Sequence, residues 1–200
     1  MNASLTATRI IPDLPHAMTE KVALILKEKL RKNPNLAPRF VYRGCQVYSF
    51  GDAGTGYICL VKAGEILYFV RHQRVRYSGF PLGRQVLLWR TPDKLRHPEV
   101  VGFAQHVFFR VLLTKYPALI ADTLQTAMGR DFWFYALQTA LRSPTYHCYK
   151  LDRRGKVTLT PLLSEQDVED NYKDLWGTTS AHELVFAVIS TKPLALKSKD

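Results

Sequence analysis

Asp122 follows Ala118, Leu119, Ile120 and Ala121, a short apolar run with no polar face, and such a run reads as a strand covered on both sides. Open α/β sheets set their sites at the carboxyl ends of strands, so this carboxylate has the position and the chemistry of a general base. A helix cap or turn-former is the other reading of an Asp at that point. Other groups able to move protons or act as nucleophiles offer less. His147 and Cys148 are neighbours in an alternating stretch, Thr145 to Leu151, and point to opposite faces of a strand, so they form no nucleophile-base pair with each other. His106 lies in an apolar helical stretch and reads as a packed core histidine. Cys45, Cys59 and Cys148 are scattered, with no C-x-x-C pair, so neither a zinc site nor a disulfide framework is expected.

A second constellation is basic. Between Arg71 and Arg96 stand seven arginines and lysines against one acid, Asp93, with Tyr77, Phe80 and Trp89 among them. Cations interleaved with aromatics suit a phosphate backbone and unstacked bases, which makes Arg71, Arg74, Arg76, Tyr77 and Arg84 candidates for binding nucleic acid or another anion. A solvated edge strand, protected from aggregation by its charge, accounts for the same residues. The net charge of +11 likewise favours polyanionic partners: nucleic acid, an anionic cofactor or an acidic protein.

The elements that must position these groups are written in the hydrophobic periodicity. With 200 residues, 46% of them hydrophobic, and no Pro/Gly/Ser-rich linker, the chain is expected to form one domain around one core, with a frayed tail after Pro193. Its start lacks a long apolar region and no run approaches the length of a membrane span, so a cytoplasmic protein without membrane segments is expected. Thr6 to Ile11 reads as a strand. Glu20 to Arg31 reads as a helix with Val22, Ile25, Leu26 and Leu30 inward and a solvated basic face of Lys21, Lys27, Lys29, Arg31 and Lys32. From Phe40 to Arg90 the period is two, which predicts an antiparallel meander with a hairpin at Lys62-Ala63-Gly64-Glu65 and a central strand from Arg84 to Arg90. Val100 to Leu113 predicts a deeply packed helix. After Ala118 to Ala121, Asp131 is placed to cap a helix ending at Ser143-Pro144, and Thr145 to Leu151 returns as a strand, completing a β-α-β unit. Val157 to Leu159 continues as a strand, Ser164 caps a helix over SEQDVEDNYKDLW, and Leu184 to Ser190 is the last strand. The predicted class is α/β, with a mixed, largely antiparallel central sheet and flanking helices.

This order of elements resembles the GNAT superfamily of acyl-CoA N-acyltransferases, in which two neighbouring parallel strands splay apart to admit the pantetheine arm of the cofactor. In that family a loop of the form Q/R-x-x-G-x-G/A follows the central strand, and its amides hold the pyrophosphate at a helix start. The matching residues here are Glu99-Val100-Val101-Gly102-Phe103-Ala104. Gly102 and Ala104 fit the pattern, whereas Glu99 departs from it and sets a carboxylate beside a pyrophosphate. The resemblance implies that Val101, Gly102, Phe103 and Ala104 bind acetyl-CoA or another acyl-CoA, and that an amine is the acceptor. It also implies that Tyr135, in the helix after the second splayed strand, protonates the departing thiolate; a core aromatic with its hydroxyl at the surface is the other reading of Tyr135. A basic protein of the same fold that has lost the cofactor and binds a polyanion is the alternative.

Overall fold

Alternating β-branched and aromatic residues commit the chain from Phe40 to a run of hairpins. In the computed structural model, which describes residues 16–32, 36–76, 83–91, 96–122, 127–176 and 184–195, strands β1 (Phe40–Tyr42), β2 (Cys45–Gly51), β3 (Thr55–Lys62), β4 (Glu65–Val75) and β5 (Gly83–Arg90) each pair antiparallel with the one before. The predicted hairpin at Lys62 to Glu65 is present. Its central residues Ala63 and Gly64 both take positive φ, 49° and 82°, the backbone twist that two-residue hairpins favour.

The sheet then changes direction. β6 (Ala118–Ala121) joins β5 as a parallel neighbour, and β9 (Val185–Ser190), β7 (His147–Asp152) and β8 (Thr158–Leu162) follow antiparallel, giving the order β1-β2-β3-β4-β5-β6-β9-β7-β8. Among the described residues β5 and β6 are the one parallel pair. The result is an α/β fold whose mixed sheet is mostly antiparallel. The expected β-α-β unit is present in divided form: helix α3 (Ala127–Leu141) links β6 to β7, and β9 lies between those two strands.

Helices cover both faces. Helix α1 (His16–Lys32) lays Val22 and Leu26 on Tyr48, Cys59 and Phe69. The opposite face, with Val47, Leu60, Val70 and Val86, packs against Phe103, Val107 and Phe108 of the β5–β6 crossover and against Trp133 and Leu137 of α3. Strand β6 is fully buried, as its unbroken apolar run requires.

Several sequence expectations are corrected. The Val100 to Leu113 helix begins later, as α2 (Phe103–His106), and continues as a π-helix over Val107–Leu112; a 3-10 turn at Pro98–Val100 and the left-handed Gly102 (φ 77°) precede it. Asp131 is not a cap, because α3 already begins at Ala127. Leu88 is half-buried where Val86 and Leu87 are buried, since the strand beside β5 ends before reaching it. The segment from Ser164 forms two helices, α4 (Glu165–Asp170) and α5 (Tyr172–Trp176). Ser164 does cap the first: its hydroxyl accepts from the Asp167 amide while the Asp167 carboxylate accepts from the Ser164 amide, a reciprocal arrangement that satisfies two otherwise orphaned donors. The basic segment is no edge strand, for β4 and β5 lie in the middle of the sheet. The strand expected from Thr6 to Ile11 and most of the tail after Pro193 lie outside the described residues.

Trp133 is 1% exposed and meets the Phe108 ring edge-on at 5.1 Å. Trp133→Ala should therefore lower the unfolding free energy by about 3–5 kcal/mol, read as a shift of the urea midpoint at constant slope.

Candidate active site where two parallel strands part

The β5–β6 pairing is short. Arg84, Gln85 and Val86 pair with Leu119, Ile120 and Ala121, after which β6 ends while β5 runs on to Arg90. Gln85 marks the limit, its side-chain amide donating to the Ala121 carbonyl at 3.3 Å. Beyond it, Leu87 to Arg90 pair with β4 on one side and with no described strand on the other.

Asp122 stands at this parting. It is 9% exposed, and its carboxylate lies 3.6 Å from the Arg71 guanidinium. Arg71 belongs to β4 and sits opposite Leu87 of β5, so the ion pair reaches across β5 at the level where β6 stops. Both partners lie on the face of the sheet that α1 covers, since Arg71 follows Phe69 at a spacing of two.

Further along the chain, the Pro98–Val100 turn and α2 follow β5. The Val101 amide is used, donating to the Pro98 carbonyl at 3.2 Å. Gly102, Phe103 and Ala104 are the first residues of a helix start, whose amides have no intrahelical acceptor. Tyr42 fixes the loop from outside, donating its hydroxyl to the Val101 carbonyl at 2.9 Å. A Cβ on Gly102 would lie 3.1 Å from that hydroxyl, so both the backbone conformation and the close approach call for glycine. Phe103 and Ala104 turn their side chains into the core. Glu99 is ion-paired with Lys62 at the end of β3, and that ammonium holds its carboxyl below the usual range.

The remaining expected residues do not gather here. Tyr135 is 60% exposed on the side of α3 turned from the core, which is formed by Trp133, Ala136, Leu137 and Ala140. Arg84 is buried and internally engaged: it donates to the Gly54 carbonyl at 2.8 Å and the Ala53 carbonyl at 3.2 Å, and lies over the Tyr116 ring at 4.4 Å. Arg74 and Arg76 are exposed at the end of β4 and just past it, while Tyr77 lies outside the described residues. His106 is packed between Phe40 and Tyr42. The three thiols are buried, and burial raises each of them, Cys148 to about 12, which makes them poor nucleophiles. Among the described residues no three His, Cys, Asp or Glu side chains come together as a metal site, and no helix is long and apolar enough to cross a membrane.

His72 was not singled out by its sequence context. It is 6% exposed, its Nδ1 is buried without a partner, and a Cβ on Gly56 would lie 2.4 Å from its ring. The signal was present in the alternation of β4, which turns His72 to the same face as Tyr68 and Val70. No protein-family model matches the chain, and no curated protein is similar to it.

Burial, helped by the charges of Arg84, Lys115 and Arg39, pushes the His72 pKa down from 6.5 to about 4. Between those values the unfolded chain binds the proton and the native protein does not, so stability falls as pH falls through that window. The melting temperature of the protein should drop from pH 6.5 to pH 4, and His72→Gln should remove part of that slope while leaving the neutral-pH plateau flat.

Proposed function

We propose that this chain is an acyl-CoA-dependent N-acyltransferase of GNAT-like fold, acting in the cytoplasm on an amine. The observation that supports the reading most is the parting of β5 from its parallel neighbour β6 after Val86 and Ala121. Past that point Leu87 to Trp89 meet no described strand on the β6 side, and that backbone suits the amides of an extended pantetheine arm, which can pair with it as a strand would. At the end of that strand, the amides of Gly102, Phe103 and Ala104 suit a pyrophosphate.

In this reading the thioester lies at the parting, its carbonyl oxygen accepting from a β5 backbone amide. Asp122 takes a proton from the acceptor ammonium, and the freed nitrogen lone pair attacks the thioester carbon. The C–N bond forms, the attacking nitrogen gives up its second proton to water, and the C–S bond breaks, the thiolate leaving with the electron pair and taking a proton from water. Arg71 holds the Asp122 carboxylate in place, and most of the rate gain comes from holding amine and thioester together.

Acetyl-CoA should raise the melting temperature, by the equivalent of about 2.7 kcal/mol at one hundred times its dissociation constant. Asp122→Asn should retain that shift and lower acetyl transfer to a panel of polyamines, amino acids and peptides by about 10²- to 10⁴-fold, followed as release of free thiol. No shift at millimolar acetyl-CoA would overturn the proposal.

The +11 charge and the exposed Arg74 and Arg76 favour a second reading, a basic module that binds nucleic acid or an acidic protein. For nucleic acid, Arg74→Ala should weaken binding to all sequences alike and lower the log-log salt slope by about one unit. Titration of single-stranded and duplex probes at several salt concentrations measures it.

A further inference from the structure

Strand register gathers cations on the face of the sheet opposite Asp122. Arg74 of β4 stands directly across from Arg84 of β5, so the two guanidinium groups project to one side, an arrangement of like charges that costs stability. His72, two residues before Arg74, shares that face. Lys115 and Tyr116 arrive from the segment leading into β6. The Arg84 guanidinium lies 4.4 Å from the centre of the Tyr116 ring, the Lys115 ammonium 5.4 Å and the His72 ring 5.4 Å. Among the described residues no carboxylate makes an ion pair with Arg74, Arg84 or Lys115. Asp52 is within electrostatic reach of Arg84, but one of its oxygens is engaged with the Gly54 and Thr55 amides. Arg84 donates to the Ala53 and Gly54 carbonyls, which fix its position and leave its charge in place.

We infer that Arg74, Arg84, Lys115 and His72 form a binding site for a phosphate group, carried as a monoester or present as the free ion. Three cations gathered without a paired carboxylate repel one another, and a dianion among them offsets that repulsion with charge-assisted hydrogen bonds. Depth favours a terminal phosphate over the diesters of a nucleic-acid backbone. Arg84 is 9% and His72 6% exposed, so a group tied to its molecule through one oxygen can approach them, while the exposed Arg74 and Lys115 meet it from the rim. His72 links the site to protons. Its Nδ1 is buried with no partner, so no hydrogen bond from that nitrogen fixes the state of the ring. Burial and the charges of Arg84, Lys115 and Arg39 keep it neutral, and a bound dianion reverses that field. The inference does not rest on the acyl-CoA reading, whose base, Asp122, lies on the other face.

Sulfate, inorganic phosphate and a terminally phosphorylated dinucleotide, titrated calorimetrically into the full chain at constant ionic strength, test it. Arg74→Gln and Lys115→Gln alter exposed side chains, so both variants should fold, and each should weaken all three anions by about tenfold. Lys27→Gln removes the same charge from α1, on the opposite face, and should change affinity by less than about twofold. Imidazole NMR supplies a second readout, with the His72 signal assigned by its loss in His72→Gln. Sulfate stays doubly charged as the ring titrates, and at saturation it should raise the His72 midpoint from about 4 by about one unit or more. Tighter binding of the phosphorylated dinucleotide than of inorganic phosphate would assign the monoester as ligand, and the reverse would assign the free ion; either supports the site. No binding of sulfate or phosphate at tens of millimolar, an equal loss in Lys27→Gln, or a His72 midpoint that sulfate leaves in place would each overturn the inference. So would equal binding of the dinucleotide with and without its terminal phosphate, which would move the contact to the diester. None of these outcomes bears on the response to acetyl-CoA, so the two readings fail separately.

Discussion

A strand in the interior of a sheet must satisfy its backbone donors and acceptors on both sides, and over its second half β5 pairs with a described strand on one side only. That mismatch follows from length. β6 is a run of four residues, Ala118–Ala121, set in register with the start of an eight-residue strand. Gln85, Asp122 and Arg71 stand at the shortfall, while the turn into α2 is held by Tyr42 of β1 and Lys62 of β3. Buried apolar packing on both faces of the sheet keeps the two strands from sliding into fuller register, since a shift by one residue would exchange their inward and outward side chains.

Charge in this protein is spent inside as well as outside. Of the basic residues between Arg71 and Arg96, Arg84 ties down the Ala53 and Gly54 carbonyls and Arg71 meets Asp122. A cluster that looks in sequence like one polyanion-binding surface is thus divided between architecture and solvent. Alternation along β4 and β5 divides it further, because neighbouring residues of one strand face opposite sides of the sheet.

The sheet was largely legible in the sequence, because its signals are local. The continuous apolar stretches Val86-Leu87-Leu88 and Ala118 to Ala121 mark central strands, although Leu88 is only half-buried, and the glycine at position 64 marks its hairpin. The crossover helix was less so. Val100 and Val101 continue the apolar pattern without interruption, and only the left-handed backbone at Gly102 separates turn from helix, a conformation that glycine permits but does not announce. Asp131 misled for a related reason: it is a good capping residue type, but Ala127 and Met128 begin the helix a turn earlier. The least legible features depend on partners far along the chain. Glu99 read as an obstacle to an anion because its counter-charge, Lys62, stands 37 positions away, and the alternation of β4 gives the face of His72 but not its cover, which comes from Gly56 and Tyr116.

The two outer strands bear on how such a sheet remains a single body in solution. A nine-stranded sheet has two rims at which another chain could dock by main-chain pairing, and rims of this kind are starting points for fibril growth. Here one rim is β1, only three residues long, too short to template a stable addition. The other is β8, where Pro161 sits opposite Tyr149 and interrupts the row of N–H donors that a newcomer would need. The stretch of β5 that meets no second described strand lies in the middle of the sheet and not at either rim.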